Sequence, residues 1–212
     1  MIRVATHLGG ASQLTSYISN MARRKITYFP GNYYHIFNRG VNREPIFKNP
    51  DNYIFLLQRI GQYALSFQVS IIAYCLMPNH YHLLLRQDGD QLIANFIQAV
   101  FNSYSKAFNK AFRRTGRLFE SPYRVIQIND STYLIHLCRY IHRNPLEAKL
   151  VHNLIDWPYS NYPEWIGKRS GKLVDREFVS EFFPNISDYY RFVIEYTPPA
   201  EIEKELEKLS LE

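Results

Sequence analysis

Apolar residues recur along this chain in two different periods, and the switches between them lay out the expected elements. Tyr33–Arg39 (YYHIFNR) is aromatic and rich in strand formers and ends at Gly40, which predicts a first strand. Apolar positions then take helical spacing through Tyr53, Leu56, Leu57, Ile60, Tyr63 and Ala64. Asn49-Pro50-Asp51 supplies the start, with Asp51 as the N-cap, so a helix of about 16 residues is expected. Two apolar runs, Val69–Met77 and Tyr81–Leu85, flank Pro78-Asn79. Proline fixes φ and asparagine tolerates left-handed backbone, so this stretch reads as a β-hairpin. After a break at Asp88-Gly89-Asp90, Leu92–Phe112 returns to helical period and Tyr123–Ile128 alternates as a last strand. Asn129-Asp130-Ser131 caps a further helix, which runs to Arg143 and is expected to stop before Pro145.

The order strand, helix, strand, strand, helix, strand matches the split βαβ plan of ferredoxin-like folds, an α+β class. Its first and third strands are central in an antiparallel sheet, and both helices cover one face. Alternation along the third strand puts His80 and His82 on one face and Tyr81, Leu83 and Leu85 on the other. If the two long helices cover the second set, the helix 131–143 is the available cover for the histidines. Beyond Trp157 come short, proline-punctuated helical patterns (Tyr159–Ile166, Asp175–Phe183, Ser187–Tyr196) and an acidic amphipathic stretch, Ala200–Leu211. The expected organisation is a poorly ordered N-terminal tail over 1–26, basic at its end, a main domain over 27–155 and a helical appendage over 156–212.

Two imidazoles side by side on a buried strand need partners. Each hydrogen-bonds its neighbours, or a shared metal ion serves both. On the helix 131–143, His136, Tyr140 and Asn144 are four residues apart and share a face. Laid across the histidines, that face would add an amide oxygen from Asn144 and a phenol from Tyr140. For one tyrosine among 17, spacing alone leaves simple packing as the plainer reading.

Composition adds bounds. At 46% hydrophobic and 21% charged residues, the 212-residue chain is globular in character rather than disordered. A net charge of +6 suits a polyanionic partner without requiring one. Lys106, Lys110, Arg113, Arg114 and Arg117 form a basic series that is either a solvated face or a phosphate-facing one. Cys75 and Cys138 lie in apolar segments and read as buried thiols in a reducing compartment. No apolar run approaches the roughly 18 residues of a membrane span, and the first 20 residues lack a signal-peptide pattern, so a cytoplasmic protein is expected.

Three separated segments carry a resemblance. Met77-Pro78-Asn79-His80-Tyr81-His82-Leu83, Arg114-Thr115-Gly116-Arg117-Leu118-Phe119-Glu120-Ser121 and Arg139-Tyr140-Ile141-His142-Arg143-Asn144-Pro145-Leu146 together resemble the IS200-type Y1 transposase superfamily. They are most similar to its REP-associated tyrosine transposase branch, and the opening strand Tyr34–Gly40 fits as well. The resemblance implies a metal-dependent single-strand DNA endonuclease and strand transferase that cleaves beside a hairpin. It implies His80, His82 and Asn144 as metal ligands and Tyr140 as the nucleophile that keeps the 5′ phosphate. The relatives use Mg²⁺ or Mn²⁺; two imidazoles and an amide suit Mn²⁺ or Zn²⁺ better on ligand softness. The candidate DNA contacts are Arg23, Arg24, Lys25, His35, Arg39, Arg43, Lys106, Lys110, Arg113, Arg114, Arg117 and Arg124, and the expected state is a monomer. The alternative is a non-catalytic binder of hairpin nucleic acid on the same fold.

Overall fold

A computed structural model describes residues 27–195 and 197–209. The expected N-terminal tail, with Arg23, Arg24 and Lys25, lies outside these residues, as do the ends of the last two helical patterns.

Strand β1 (Tyr33–Arg39) has the expected bounds. Helix α1 (Pro50–Phe67) starts earlier than expected: Asn49, not Asp51, is the N-cap, its side chain accepting from Asn52 N at 3.2 Å. Proline explains the shift, because at the first helical position it has no N–H to leave unsatisfied and its φ already suits a helix. Strands β2 (Val69–Leu76) and β3 (His80–Gln87), helix α2 (Ile93–Ala111), strand β4 (Arg124–Ile128) and helix α3 (Ser131–Glu147) follow. Helix α3 passes Pro145 instead of stopping before it. So near the helix end, the missing N–H forfeits a single bond, and Ala148 N still donates to Asn144 O at 2.9 Å.

The four strands pair antiparallel in the order β2-β3-β1-β4, so β1 and β3 are central as expected. One face carries Tyr34, Ile36, Tyr81, Leu83 and Leu85 and packs with residues of α1 and α2 into one core. The opposite face carries Phe37, Cys75 and Leu84 and packs against α3 into a second core. The sheet is therefore buried on both sides, and this explains why its central strands read as nearly continuous apolar runs.

Short helices complete the chain: α4 (Tyr162–Trp165), α5 (Arg176–Phe182), α6 (Ile186–Ile194) and α7 (Ala200–Glu207). The segment before and within α4 seals the outer edge of β2. Leu76 N donates to Tyr159 O at 2.9 Å, and Tyr74 N donates to Asn161 Oδ1 at 2.8 Å. Asn161 Nδ2 donates to Ile72 O at 2.8 Å, and Trp165 Nε1 donates to the same carbonyl at 3.2 Å. An edge strand left open is a template for unwanted pairing, so this cover removes a liability. Arg139 Nε and Arg143 Nη1 of α3 donate to Phe192 O and Val193 O at 3.0 and 2.9 Å. Cations at the C-terminal carbonyls of α6 complement its dipole and fasten it to α3. Cys75 and Cys138 are buried thiols, not a disulfide. Among the described residues no helix is long and apolar enough to cross a membrane.

Candidate active site

Strand register builds the site. His82 pairs with Phe37 of β1 and Cys75 of β2, and His80 pairs with Arg39 of β1. Directly opposed residues share a face, so His80, His82, Phe37 and Arg39 all lie beneath α3. Phe37 in turn pairs with Arg124 of β4, whose guanidinium stands 5.9 Å from the Phe37 ring centre. The two imidazoles are 1% and 0% exposed, and their rings lie 5.2 Å apart, nearly perpendicular.

Helix α3 supplies the rest. The Tyr140 ring stands edge-on to His82, centroids 5.5 Å apart. One turn on, Asn144 Nδ2 donates to Tyr140 O at 2.8 Å, which turns Oδ1 toward His80 Nε2 at 3.5 Å. His136, four residues before Tyr140, does not join them; its ring packs on Phe192 of α6, centroids 5.2 Å apart. Four residues overshoot a helical turn by about 40°, so over eight residues the face rotates away.

Burial shifts the titration of the site. It lowers His80 to about 4, against a smaller upward pull from Asn144 and with a further push down from Arg39. His82 is held well below its ordinary value by burial and by the neighbouring His35 and His80 rings. Both are therefore neutral near pH 7, the form in which imidazole binds a metal. His82 Nε2 is buried and has no hydrogen-bond partner among the described residues. That orphaned nitrogen, with His80 Nε2 and Asn144 Oδ1 facing each other, is what a divalent cation would satisfy. Among the described residues no cluster of three or more histidine, cysteine or carboxylate side chains could hold a metal.

The candidate DNA contacts separate. Arg39 lies beside His80 and is ion-paired with Glu120 at 2.8 Å, and Arg124 shares the same face. Arg43 and Arg117 are exposed on loops that meet at the end of β1, where Val41 N donates to Leu118 O at 3.0 Å. Lys106 and Lys110 are exposed on α2, which covers the opposite face of the sheet; Arg113 follows in left-handed backbone (φ 50°) and Arg114 lies over the Phe108 ring. His35 is a correction. It is 0% exposed on the histidine face of β1, its Nε2 3.0 Å from His82 Nδ1, so it is not a surface contact. Strand parity with Phe37 and Arg39, once β1 is set beside β3, was the signal for this. Asn79 was also missed: its Oδ1 lies 2.7 Å from His80 Nδ1.

A sheet in this order, with both crossover helices on one face and a tyrosine-bearing helix across a pair of strand histidines on the other, is the frame of a single-tyrosine transposase. A family model described as "Transposase IS200 like" matches residues 29–144, more than half of the 212 residues, and the chain belongs to this family. These are nucleases of the HUH type, enzymes of single-strand DNA transposition that work with a divalent metal. Among solved structures, the chain is similar to a REP-associated tyrosine transposase bound to a REP hairpin. That similarity has 19% identity and a TM-score of 0.58 over 73% of this chain and 94% of the other. It is also similar to a transposase candidate from Deinococcus radiodurans R1, with 20% identity and a TM-score of 0.40 over 57% and 96%. No curated protein matches the chain.

Proposed function

We propose that this transposase is a metal-dependent single-strand DNA endonuclease and strand transferase that cuts beside a hairpin through Tyr140. The phenol loses its proton to solvent as its oxygen attacks phosphorus, the P–O3′ bond breaks, the 5′ phosphate stays on the tyrosine, and the departing 3′ oxygen takes up a proton from solvent as a hydroxyl. Attack by another 3′-hydroxyl reverses the step and reseals the strand. One phosphoester replaces another, so no ATP is consumed.

The observation that carries this reading is the edge-on approach of Tyr140 to His82, 5.5 Å between rings, with Asn144 Oδ1 3.5 Å from His80. His80, His82 and Asn144 would hold the ion, proposed to be Mg²⁺ or Mn²⁺, which supplies charge neutralisation at a phosphate oxygen. Arg39 and Arg124, on the same face, hold the flanking phosphates and orient the scissile one for attack. The hairpin as substrate is supported by the REP-associated relative, whose structure is bound to a REP hairpin. Tyrosine and histidines come from one chain, which favours a monomer acting in cis. The last helices, beyond 156, serve as a brace for α3.

The test is incubation of purified protein with Mn²⁺ or Mg²⁺ and single-stranded hairpin DNA. A covalent adduct is expected, lost in Tyr140→Phe while binding persists. Equal hairpin binding with and without metal, and no nick, would turn the reading to a non-catalytic binder.

A further inference from the structure

Each of the two strand histidines has its second ring nitrogen engaged, and the two partners were assigned no such role above. His80 Nδ1 faces Asn79 Oδ1 at 2.7 Å. The Asn79 amide is oriented by its own donor: Nδ2 bonds Arg43 O at 3.4 Å, and a flipped amide would set two oxygens against each other. Oxygen therefore faces Nδ1, and a contact this short between two acceptors would be repulsive, so the proton sits on Nδ1. A neutral imidazole has only that one proton, so Nε2 is left with a lone pair toward Asn144 Oδ1. The carbonyl that orients Asn79 sits in a strained stretch, Asn42 and Arg43 having φ of 54° and 59°. Left-handed backbone at a bulky residue persists where the surroundings demand it.

His82 Nδ1 meets His35 Nε2 at 3.0 Å, both rings fully buried, and one of the two donates. The outer nitrogens of both rings, His82 Nε2 and His35 Nδ1, bond nothing among the described residues, so the geometry sets no direction for this pair.

We propose that Asn79 is a positioning residue, which holds His80 protonated on Nδ1 so that its Nε2 lone pair faces the ion. The proposal rests on the ligand assignment above. Outer partners of this kind fix ring orientation and tautomer at metal-bound histidines, and losing one costs about 10–100-fold in metal affinity.

The experiment reads tautomers by ¹⁵N NMR of the metal-free protein at pH 7, with Mn²⁺ titration as a second readout. Wild type is expected to show His80 protonated on Nδ1. Asn79→Ala moves His80 toward the Nε2–H form and weakens Mn²⁺ about 10–100-fold, whereas Asn79→Asp, which keeps an acceptor oxygen, retains the tautomer. His80 protonated on Nε2 in wild type, or an unchanged tautomer in Asn79→Ala, overturns the proposal. Because the tautomer is read without metal or DNA, a protein with this tautomer that forms no adduct overturns the nuclease reading instead.

Discussion

The Nε2–H of His142 donates to Asn161 Oδ1 across 2.8 Å, and that bond joins the tyrosine helix to the edge strand of the sheet. Asn161 also bonds both Tyr74 N and Ile72 O of β2, while the Tyr189 hydroxyl donates to His142 Nδ1 at 2.5 Å. Helix α3, the β2 edge and α6 thus meet at one buried amide and one buried ring.

Asn161→Leu is expected to destabilise the protein by about 3 kcal/mol or more, since it strands buried groups of three partners at roughly 1–3 kcal/mol each. Urea unfolding monitored by circular dichroism measures this. A loss under about 1 kcal/mol would mean that the junction contributes little.

Acid weakens the same junction. Burial lowers His142 to about 4, so between that value and 6.5 the unfolded chain binds a proton that the folded one refuses. Stability therefore rises with pH across this window and is lost on going down through it, by a little over 1 kcal/mol per pH unit from this ring alone. Denaturation of the metal-free protein at pH 7 and pH 5 checks the sign. His142→Gln should show a shallower pH dependence than wild type.

Asn144 tests the donor set. Asn144→Ala is expected to weaken Mn²⁺ binding by tenfold or more, whereas Asn144→Asp supplies a charged oxygen and tightens Mg²⁺ and Mn²⁺ by roughly tenfold. Calorimetric titration of each ion distinguishes the two, and unchanged affinity in Asn144→Ala would remove this residue from the site.

Phosphate contacts show themselves through salt. Removing Arg39 or Arg124 should lower the slope of log affinity against log salt by about 0.7 for single-stranded DNA. Lys106→Ala, on the opposite face of the sheet, should leave the slope unchanged if only the histidine face carries the strand.

Much of this was legible beforehand because period and parity are local. The alternation of His80 and His82 against Tyr81, Leu83 and Leu85 was readable from one strand, and the element order then called for α3 as the cover. His35 was misplaced because the resemblance suggested a DNA-reading role for residues 22–44 as a block, and the parity that buries it shows only when β1 is set against β3, a pairing that no single segment encodes. Pro145 misled in the opposite way, since a rule about helix interiors applies weakly in the last turn. Asn161 and its bonds to β2 were invisible, because edge cover is built from residues almost ninety positions apart.

The Tyr140 ring stands edge-on to His82 of its own chain, and under the proposed cis arrangement this bears on how copies behave in mixtures. Two variants expected to be inactive, Tyr140→Phe and His80→Ala, should then fail to rescue each other, so a blend of them stays silent; cutting restored in the blend would show instead that copies trade parts.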